Sequence, residues 1–222
     1  RGNALAEHAL FTRALPYHRQ VVDVLTARYG PGHPALYDGL ANLTADLLAT
    51  GALAEARALL PRLDALHVAA DPDGDDSWLR RTHAWALRLA GDPAGALAED
   101  RRALAAALRF TGPASGSAAD ANAGIGEDLV LLGDLPAAAR ALDQAIAVYG
   151  DQVPSETYFA LARALASTDP TRARAAALRA YAQAHGAVAE GGDPRKAADM
   201  AAWLRAHGGP PPADATVPAR SP

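Results

Sequence analysis

Apolar and polar residues follow one another along this chain with the spacing of amphipathic helices. In the first segment, Leu10, Ala14, Tyr17, Val21 and Val24 recur every three or four positions, which places them on one face of a helix. The same spacing returns in nine further segments. The predicted helices span about residues 9–29, 35–49, 53–69, 77–90, 93–110, 117–132, 136–149, 155–166, 170–185 and 194–206. The pattern therefore predicts an all-α chain.

The turns between these segments carry residues that end one helix and begin the next. Gly30-Pro31-Gly32-His33-Pro34 separates the first two predicted helices, and Thr50-Gly51 separates the second from the third. Pro93 stands at a predicted first turn, where its missing N–H would have had no partner. Pro61 instead falls inside a helical run, and we expect a kink or an early break there.

Four of the turns share one motif, in which Gly or Thr is followed five residues later by Ala. The copies occupy residues 51–56, 91–96, 133–138 and 168–173, so the first three begin 40 and 42 residues apart and the fourth follows after 35. Repetition at this period is typical of stacked repeats, which bury their apolar faces only against their neighbours. We therefore predict an α-solenoid of antiparallel helical hairpins, an architecture that favours binding over catalysis.

One helical repeat domain is predicted over residues 1–207. Its repeats cover roughly residues 1–30, 35–70, 77–110, 117–149 and 155–186, with a capping helix at 193–207. The last helix has no partner after it, so we expect it to cover the terminal apolar face. Residues 208–222 are mostly Pro, Ala and Gly and are predicted to form a disordered tail. Because the chain begins in mid-pattern without Met, we expect it to be a piece of a longer protein.

Composition and charge narrow the class of protein further. Ala, Leu and Arg favour helices, while the aromatic residues that strands prefer make up only 5% of the chain. The net charge is −4 and no Lys/Arg cluster is present, so nucleic acid is not an expected partner. The absence of Cys excludes disulfides and thiolate metal sites and fits a cytoplasmic location. The chain contains no apolar run of 18 residues, so the sequence predicts no membrane span.

The first fifth of the chain carries a more specific pattern. Its parts are Phe11, Ala14, Pro16 and Arg19, then Tyr29-Gly30-Pro31-Gly32-His33-Pro34, and Asn42-Leu43 in the next helix. This pattern resembles the kinesin-light-chain-type tetratricopeptide repeat, whose period is about 42 residues. The resemblance implies a right-handed superhelix whose concave groove, lined by the first helix of each repeat, binds a protein or peptide. The later repeats lack the Gly-Pro-x-His-Pro loop, and Thr44 replaces an Ala of the family pattern.

The C-terminal helices carry a second resemblance. Residues 159–165, Arg172-Ala173-Arg174 and residues 202–207 are similar to the tail of bacterial, myxobacterial-type eukaryotic-like Ser/Thr protein kinases. That resemblance implies the docking or sensory region of such a kinase. The chain itself has no His-Arg-Asp catalytic loop and no Asp-Phe-Gly motif. The alternative parent is a transcriptional activator or a signalling ATPase that carries a regulatory repeat array.

The candidate partner-binding residues centre on the helix at 77–90. Trp78, Arg81, Trp85 and Arg88 are spaced by three, four and three positions, which places them on one helix face. By the first resemblance they line the concave groove, where Trp would anchor an extended peptide and Arg would pair with an acidic residue or a terminal carboxylate. The alternative is that one or both Trp side chains pack between helices, with the Arg stems lying over them.

Neighbouring repeats supply further candidates at equivalent positions, namely Asp38, Asp120, Glu127 and Tyr158. Acidic residues around a basic and aromatic centre would favour a partner of mixed charge. The alternative for these four is an ordinary solvated helix face. The Lys/Asn set of the tetratricopeptide clamps that bind chaperones is missing, because Asn42 and Asn122 have no partnering Lys.

No pattern in the chain predicts catalysis, a metal site or a cofactor. The acidic segment Asp71-Pro72-Asp73-Gly74-Asp75-Asp76 has Gly at its fourth position and Thr82 at its twelfth, whereas a calcium-binding EF-hand loop needs Gly at the sixth and Glu at the twelfth. We interpret it as a solvated, helix-capping loop. The His residues lack paired metal-ligand spacing, and no nucleophile lies beside a base. We therefore predict a non-catalytic protein without a metal or cofactor.

Overall fold

A computed structural model of the chain describes residues 11–209, and within that range every regular element is helical. Two 3₁₀ turns lie at Pro34–Leu36 and Gly150–Gln152. The α-helices are α1 Phe11–Tyr29, α2 Tyr37–Ala49, α3 Leu53–Ala70, α4 Ser77–Leu89, α5 Pro93–Phe110, α6 Gly116–Leu132, α7 Leu135–Tyr149, α8 Ser155–Leu165, α9 Pro170–Val188 and α10 Pro194–Ala206. The all-α prediction is confirmed. The predicted tail beyond Gly209 and the predicted start of the first helix lie outside the described residues.

The helices form two compact units, which we call the N-terminal unit, described over residues 11–112, and the C-terminal unit, described over residues 113–209. In the N-terminal unit α1 packs on α2, and the hairpins α2–α3 and α4–α5 follow. In the C-terminal unit the hairpins α6–α7 and α8–α9 are followed by α10, which packs on α9. Turns of two to four residues join the helices of each hairpin, which makes them antiparallel. That residues 1–207 form a single domain stays a prediction.

The repeated motif marks the place where each hairpin turns. Gly91 adopts φ +83°, a left-handed conformation that favours glycine, and the next amide, that of Asp92, donates to the carbonyl of Leu87. The Asp92 side chain then accepts from the amide of Gly95, so it caps α5, and Pro93 follows at the first helical position. The motif thus encodes both a helix stop and a helix start.

The Ala that closes each copy is a packing position. Ala56, Ala96 and Ala138 are fully buried, and Ala173 is 1% exposed. Each lies one turn into the second helix of its hairpin, where a larger side chain would separate that helix from the first. The closing Ala therefore occupies the same structural position in all four copies.

The expected early break at Pro61 is wrong, because α3 continues as one helix from Leu53 to Ala70. Pro61 is exposed to solvent. At an exposed position, water can hydrogen-bond the carbonyl that loses its amide partner, so the helix can continue past the proline.

Candidate functional site

The two predicted anchor residues, Trp78 and Trp85, are half-buried on α4. Both pack against an apolar cluster of the N-terminal unit that is built from leucines of α2, α3 and α4, including Leu40, Leu47 and Leu63. A large aromatic side chain gains most of its stabilisation from such burial. Both rings therefore contribute to packing, as the alternative interpretation holds, while their role in partner binding stays a prediction.

The side chains of Arg81 and Arg88 in the predicted stripe are only partly exposed, whereas an open peptide-binding face would expose them more fully. Nη2 of Arg88 is 2.7 Å from Oδ2 of Asp100 on α5, and Asp100 is only 2% exposed. A guanidinium that balances a buried carboxylate is costly to withdraw, because the carboxylate would be left unpaired. Arg81 is half-buried. Arg88 therefore joins α4 to α5.

The other predicted residues are distributed over both units. Asp38 is exposed near the start of α2 in the N-terminal unit. In the C-terminal unit, Tyr149 donates its hydroxyl to Asp120 at 2.6 Å, and Glu127 is half-buried. The guanidinium of Arg179 lies 5.6 Å from the ring centroid of Tyr158. Asp120 and Tyr158 thus have partners inside their own unit, and the binding role of all four stays a prediction.

A groove of about 640 Å³ lies between α3 and α4 in the N-terminal unit, and none of the eight predicted residues lines it. Its volume is within the range of protein ligand sites. It is lined by Arg57, Leu60, Pro61, Asp64, His67 and Val68 of α3, by Pro72 and Asp76 of the loop, by Leu79, Arg80, His83, Ala86 and Leu87 of α4, and by Glu99 of α5. We call this the α3–α4 groove.

The α3–α4 groove and the predicted stripe lie on opposite faces of α4. At 3.6 residues per turn, the positions of Leu79, Arg80, His83 and Leu87 are centred about half a turn away from those of Trp78 and Arg81. The sequence pattern singled out the face of α4 opposite to this groove, and the binding role of that face stays a prediction.

Apolar and charged side chains share the groove. Leu60, Leu79 and Ala86 are buried in its floor, whereas Val68 is 60% exposed at its edge. Nε2 of His83 is 2.8 Å from Oδ1 of Asp64, which joins the two helices midway along the groove. An apolar floor below a polar rim is the usual composition of a site that takes a peptide or small molecule.

The charges on the rim differ in how far they are already neutralised. Arg80 contacts Asp76 at 2.6 Å and Glu99 at 3.4 Å. The hydrogen bond with Asp76 raises the pKa of Arg80 above its ordinary value, so Arg80 stays charged. Among the described residues, no hydrogen bond or ion pair reaches the guanidinium of Arg57, which is exposed on α3. Arg57 is therefore the arginine of the rim that can accept a new anionic partner.

The acidic loop between α3 and α4 forms one end of the groove. The amide of Gly74 donates to the carbonyl of Asp71, and Oδ1 of Asp75 accepts from the amide of Ser77 as α4 begins. Asp75 thus accepts the first backbone N–H of α4, whereas Asp76, the N-cap residue, makes no capping hydrogen bond with its side chain. Over residues 11–209, no group of three His, Cys, Asp or Glu side chains is arranged to hold a metal ion, and no helix is long and apolar enough to cross a membrane.

Sequence reasoning missed the α3–α4 groove because its residues look like two ordinary solvated faces. Arg57, Pro61, Asp64 and Val68 recur along α3 at spacings of four, three and four, and three of the four are polar or proline. Only the packing of α3 beside α4 turns these positions into a concave surface. The apolar Val68 among polar neighbours is the single local feature that distinguishes the face.

Solved structures with the same kind of helical hairpins are similar to this chain. BtubC (BKLC) from P. vanneervenii matches with a TM-score of 0.60 at 18% identity, over 90% of this chain and 81% of that chain. Two crystal structures of a Podosopora anserina protein, described as a kinesin light chain with nearly identical TPR-like repeats, match with TM-scores of 0.54 at 16% identity. They cover 92% of this chain and 90% and 93% of their own.

At these identities the likeness shows the fold, which is an all-α, TPR-like solenoid of helical hairpins. It confirms the fold that the kinesin-light-chain-type pattern implied. No protein-family model matches the sequence. No curated protein matches it either.

Proposed function

We propose that this chain is a non-catalytic scaffold that binds a segment of a partner protein in the α3–α4 groove. The observation that carries the proposal is the groove itself, which combines about 640 Å³ of space with a buried leucine floor and an exposed apolar side chain, Val68. TPR-like hairpins supply a rigid frame for such a surface, because each helix is held by its neighbours. A peptide fits the shape better than a small ligand, since the groove follows two helices and is open along its side.

The test uses a matched pair of valines. Val68, in the groove, is 60% exposed, and Val24, on α1, is 58% exposed. A phage-displayed library of random twelve-residue peptides is selected on the full chain, and the enriched peptides are measured by fluorescence anisotropy. Val68→Gln should weaken their binding about tenfold, because an apolar contact of about 1.4 kcal/mol is lost. Val24→Gln should change binding less than twofold.

Two results would count against the groove. The first is that no peptide is enriched, and the second is that the enriched peptides bind Val68→Gln as well as the unaltered chain. In the second case Arg81→Gln provides the comparison. Binding that is lost in Arg81→Gln and kept in Val68→Gln would place the partner on the predicted stripe, on the opposite face of α4.

We further propose that the scaffold is the docking or sensory region of a bacterial Ser/Thr protein kinase. The support is the resemblance of residues 159–165, Arg172-Ala173-Arg174 and residues 202–207 to the tails of such kinases. The coding sequence immediately upstream of Arg1 tests this directly. A Gly-rich loop, a His-Arg-Asp loop and an Asp-Phe-Gly motif would support it. A DNA-binding or P-loop module would replace it with the alternative parent, a transcriptional activator or signalling ATPase.

A further inference from the structure

The two ends of the α3–α4 groove differ in charge, and this difference defines the chemistry of the occupant. The helices α3 and α4 run antiparallel and are joined by residues 71–76, so the groove has a loop end and an opposite end. The contact between Asp64 and His83 lies between the two ends. Pro72 and Asp76 belong to the loop end, whereas Arg57 and Leu87 belong to the opposite end.

The loop end has an excess of negative charge. The nearest lining cation, Arg80, is already shared between Asp76 and Glu99. Asp71 and Asp73 do not line the groove, but they are exposed in the loop on either side of Pro72, which does, and no cation among the described residues pairs with either carboxylate. A Lys or Arg of a bound segment would therefore meet carboxylates that the chain has left uncompensated at the edge of an apolar groove.

The opposite end has the reverse character. Arg57 projects from the first turns of α3, where the residue one turn before it is Leu53 and the residue one turn after it is Pro61. Neither can neutralise it, and within the described residues no carboxylate does. An acidic side chain of the bound segment is the group that this end would attract.

The distance between the ends sets the spacing of the two charges in the occupant. Ala70, the last residue of α3 before the acidic loop, lies thirteen positions after Arg57. At 1.5 Å per residue this corresponds to roughly 20 Å. An extended peptide rises about 3.3 Å per residue, so about six positions cover this length. With a spacing of six, which is even, the two charged residues and the alternate residues between them would point to the same side of an extended segment. Those alternate residues would lie on Leu60, Leu79 and Ala86.

We propose that the α3–α4 groove binds an extended segment of a partner protein that carries an acidic and a basic residue six positions apart, with apolar residues at the alternate positions between them. The acidic residue pairs with Arg57, and the basic residue pairs with Asp71 and Asp73. This inference rests on the proposed function and adds to it the charges of the partner segment and their spacing.

The probe is the fluorescein-labelled peptide Gly-Glu-Ser-Leu-Ser-Val-Ser-Lys-Gly, measured by anisotropy against the full chain at low salt. Asp73→Lys should weaken its binding about fivefold, because an exposed ion pair is replaced by repulsion. The same variant should bind more tightly a second peptide in which Glu replaces the Lys. Arg57→Glu should show the corresponding exchange with a peptide in which Lys replaces the Glu. Raising the salt concentration should reduce all of these differences.

Matched charge reversals at exposed sites outside the groove are the controls. Asp23→Lys on α1 and Arg205→Glu on α10 alter the net charge by the same amounts and should leave binding unchanged. The inference is overturned if the probe does not bind, or if both groove reversals leave its binding unchanged. It is also overturned if the chain self-associates in light scattering and Val68→Gln abolishes that association, since the occupant would then be a second copy. If library peptides still require Val68 while the charge reversals have no effect, the proposed function stands and this inference fails.

Discussion

The two units fill their interiors with side chains of different size. The main apolar cluster of the N-terminal unit is dominated by buried leucines, among them Leu36, Leu40 and Leu47. In the C-terminal unit most of the buried apolar residues are alanines, and the corresponding cluster is built on Ala180, Ala184, Ala197 and Met200. Large side chains keep helices apart, whereas alanine and glycine let them approach closely. One hairpin architecture therefore accommodates both a core dominated by leucine and a core dominated by alanine.

The units also treat an acidic side chain between helices differently. In the N-terminal unit, burial raises the pKa of Asp46 above its ordinary value. His18, whose Nδ1 lies 2.6 Å from Oδ2 of Asp46, opposes this effect but does not outweigh it. In the C-terminal unit, burial also raises the pKa of Glu156, but Lys196 and Ser155 outweigh this effect, so the pKa lies below its ordinary value. The two carboxyl groups therefore give opposite pH dependences of stability.

The largest expected effect is the loss of the buried pair in the N-terminal unit. His18 is 3% exposed and Asp46 is 1% exposed. His18→Leu leaves a buried carboxylate without its partner and should lower the free energy of unfolding by about 3–5 kcal/mol at pH 7. Urea denaturation followed by far-UV circular dichroism measures the change.

Acidification provides the control for that prediction. With its pKa raised, native Asp46 binds a proton more tightly than the unfolded chain, whose Asp has a pKa of about 3.9. The deficit of His18→Leu should therefore shrink as the pH falls from 7 towards about 4. The double variant His18→Leu with Asp46→Leu should recover most of the lost stability. A deficit that is independent of pH and unchanged in the double variant would contradict a role for the buried carboxylate.

The sequence predicted the ten helices well because their ends are determined by local chemistry. Gly91 in a left-handed conformation and Asp92 as a cap are decided within a few residues, so the pattern alone placed α5 at Pro93–Phe110. The groove depends instead on how α3 lies beside α4. Residues such as Asp64 and His83 are 19 positions apart, and no local pattern shows that they meet.

The predicted stripe on α4 shows the same limit of sequence patterns. The spacing of Trp78 and Trp85 correctly indicated one helix face, but periodicity cannot tell whether a face meets solvent or a neighbouring helix. The leucine cluster that covers both rings is assembled from three helices. Burial at these positions is therefore a property of the tertiary packing.

An intermediate effect is expected where the C-terminal unit is packed most closely. A Cβ atom at Gly126 of α6 would lie 2.4 Å from Cγ of Leu142 on α7, and Leu142 is fully buried. Gly126→Ala should therefore lower stability by about 1–2 kcal/mol, because overpacking outweighs the better helix propensity of Ala. Thermal unfolding followed by far-UV circular dichroism measures it.

Gly116, at the start of the same helix, is the matched control for Gly126. A Cβ atom there would meet nothing within 4 Å, so Gly116→Ala should be neutral or slightly stabilising. Combining Gly126→Ala with Leu142→Ala should cost less than the sum of the two single changes. The smaller side chain at position 142 removes the crowding, and the added methyl group at position 126 fills part of the space that Leu142 leaves. Additive effects would show that Gly126 does not limit the approach of α6 to α7.

The smallest effect concerns the contact between α8 and α10. Nζ of Lys196 contacts Oε1 of Glu156, and both side chains are partly exposed, so Lys196→Met should cost at most about 1 kcal/mol. Because the pKa of Glu156 is depressed, the contribution of this contact is present above the ordinary Glu value of about 4.3 and is lost as the pH falls below it. Stability measured by urea denaturation between pH 3 and 7 should therefore depend less on pH in Lys196→Met than in the unaltered chain. Arg205→Met, which removes an exposed cation from the same helix, should keep the original dependence. An unchanged dependence in Lys196→Met would mean that Lys196 does not control the pKa of Glu156.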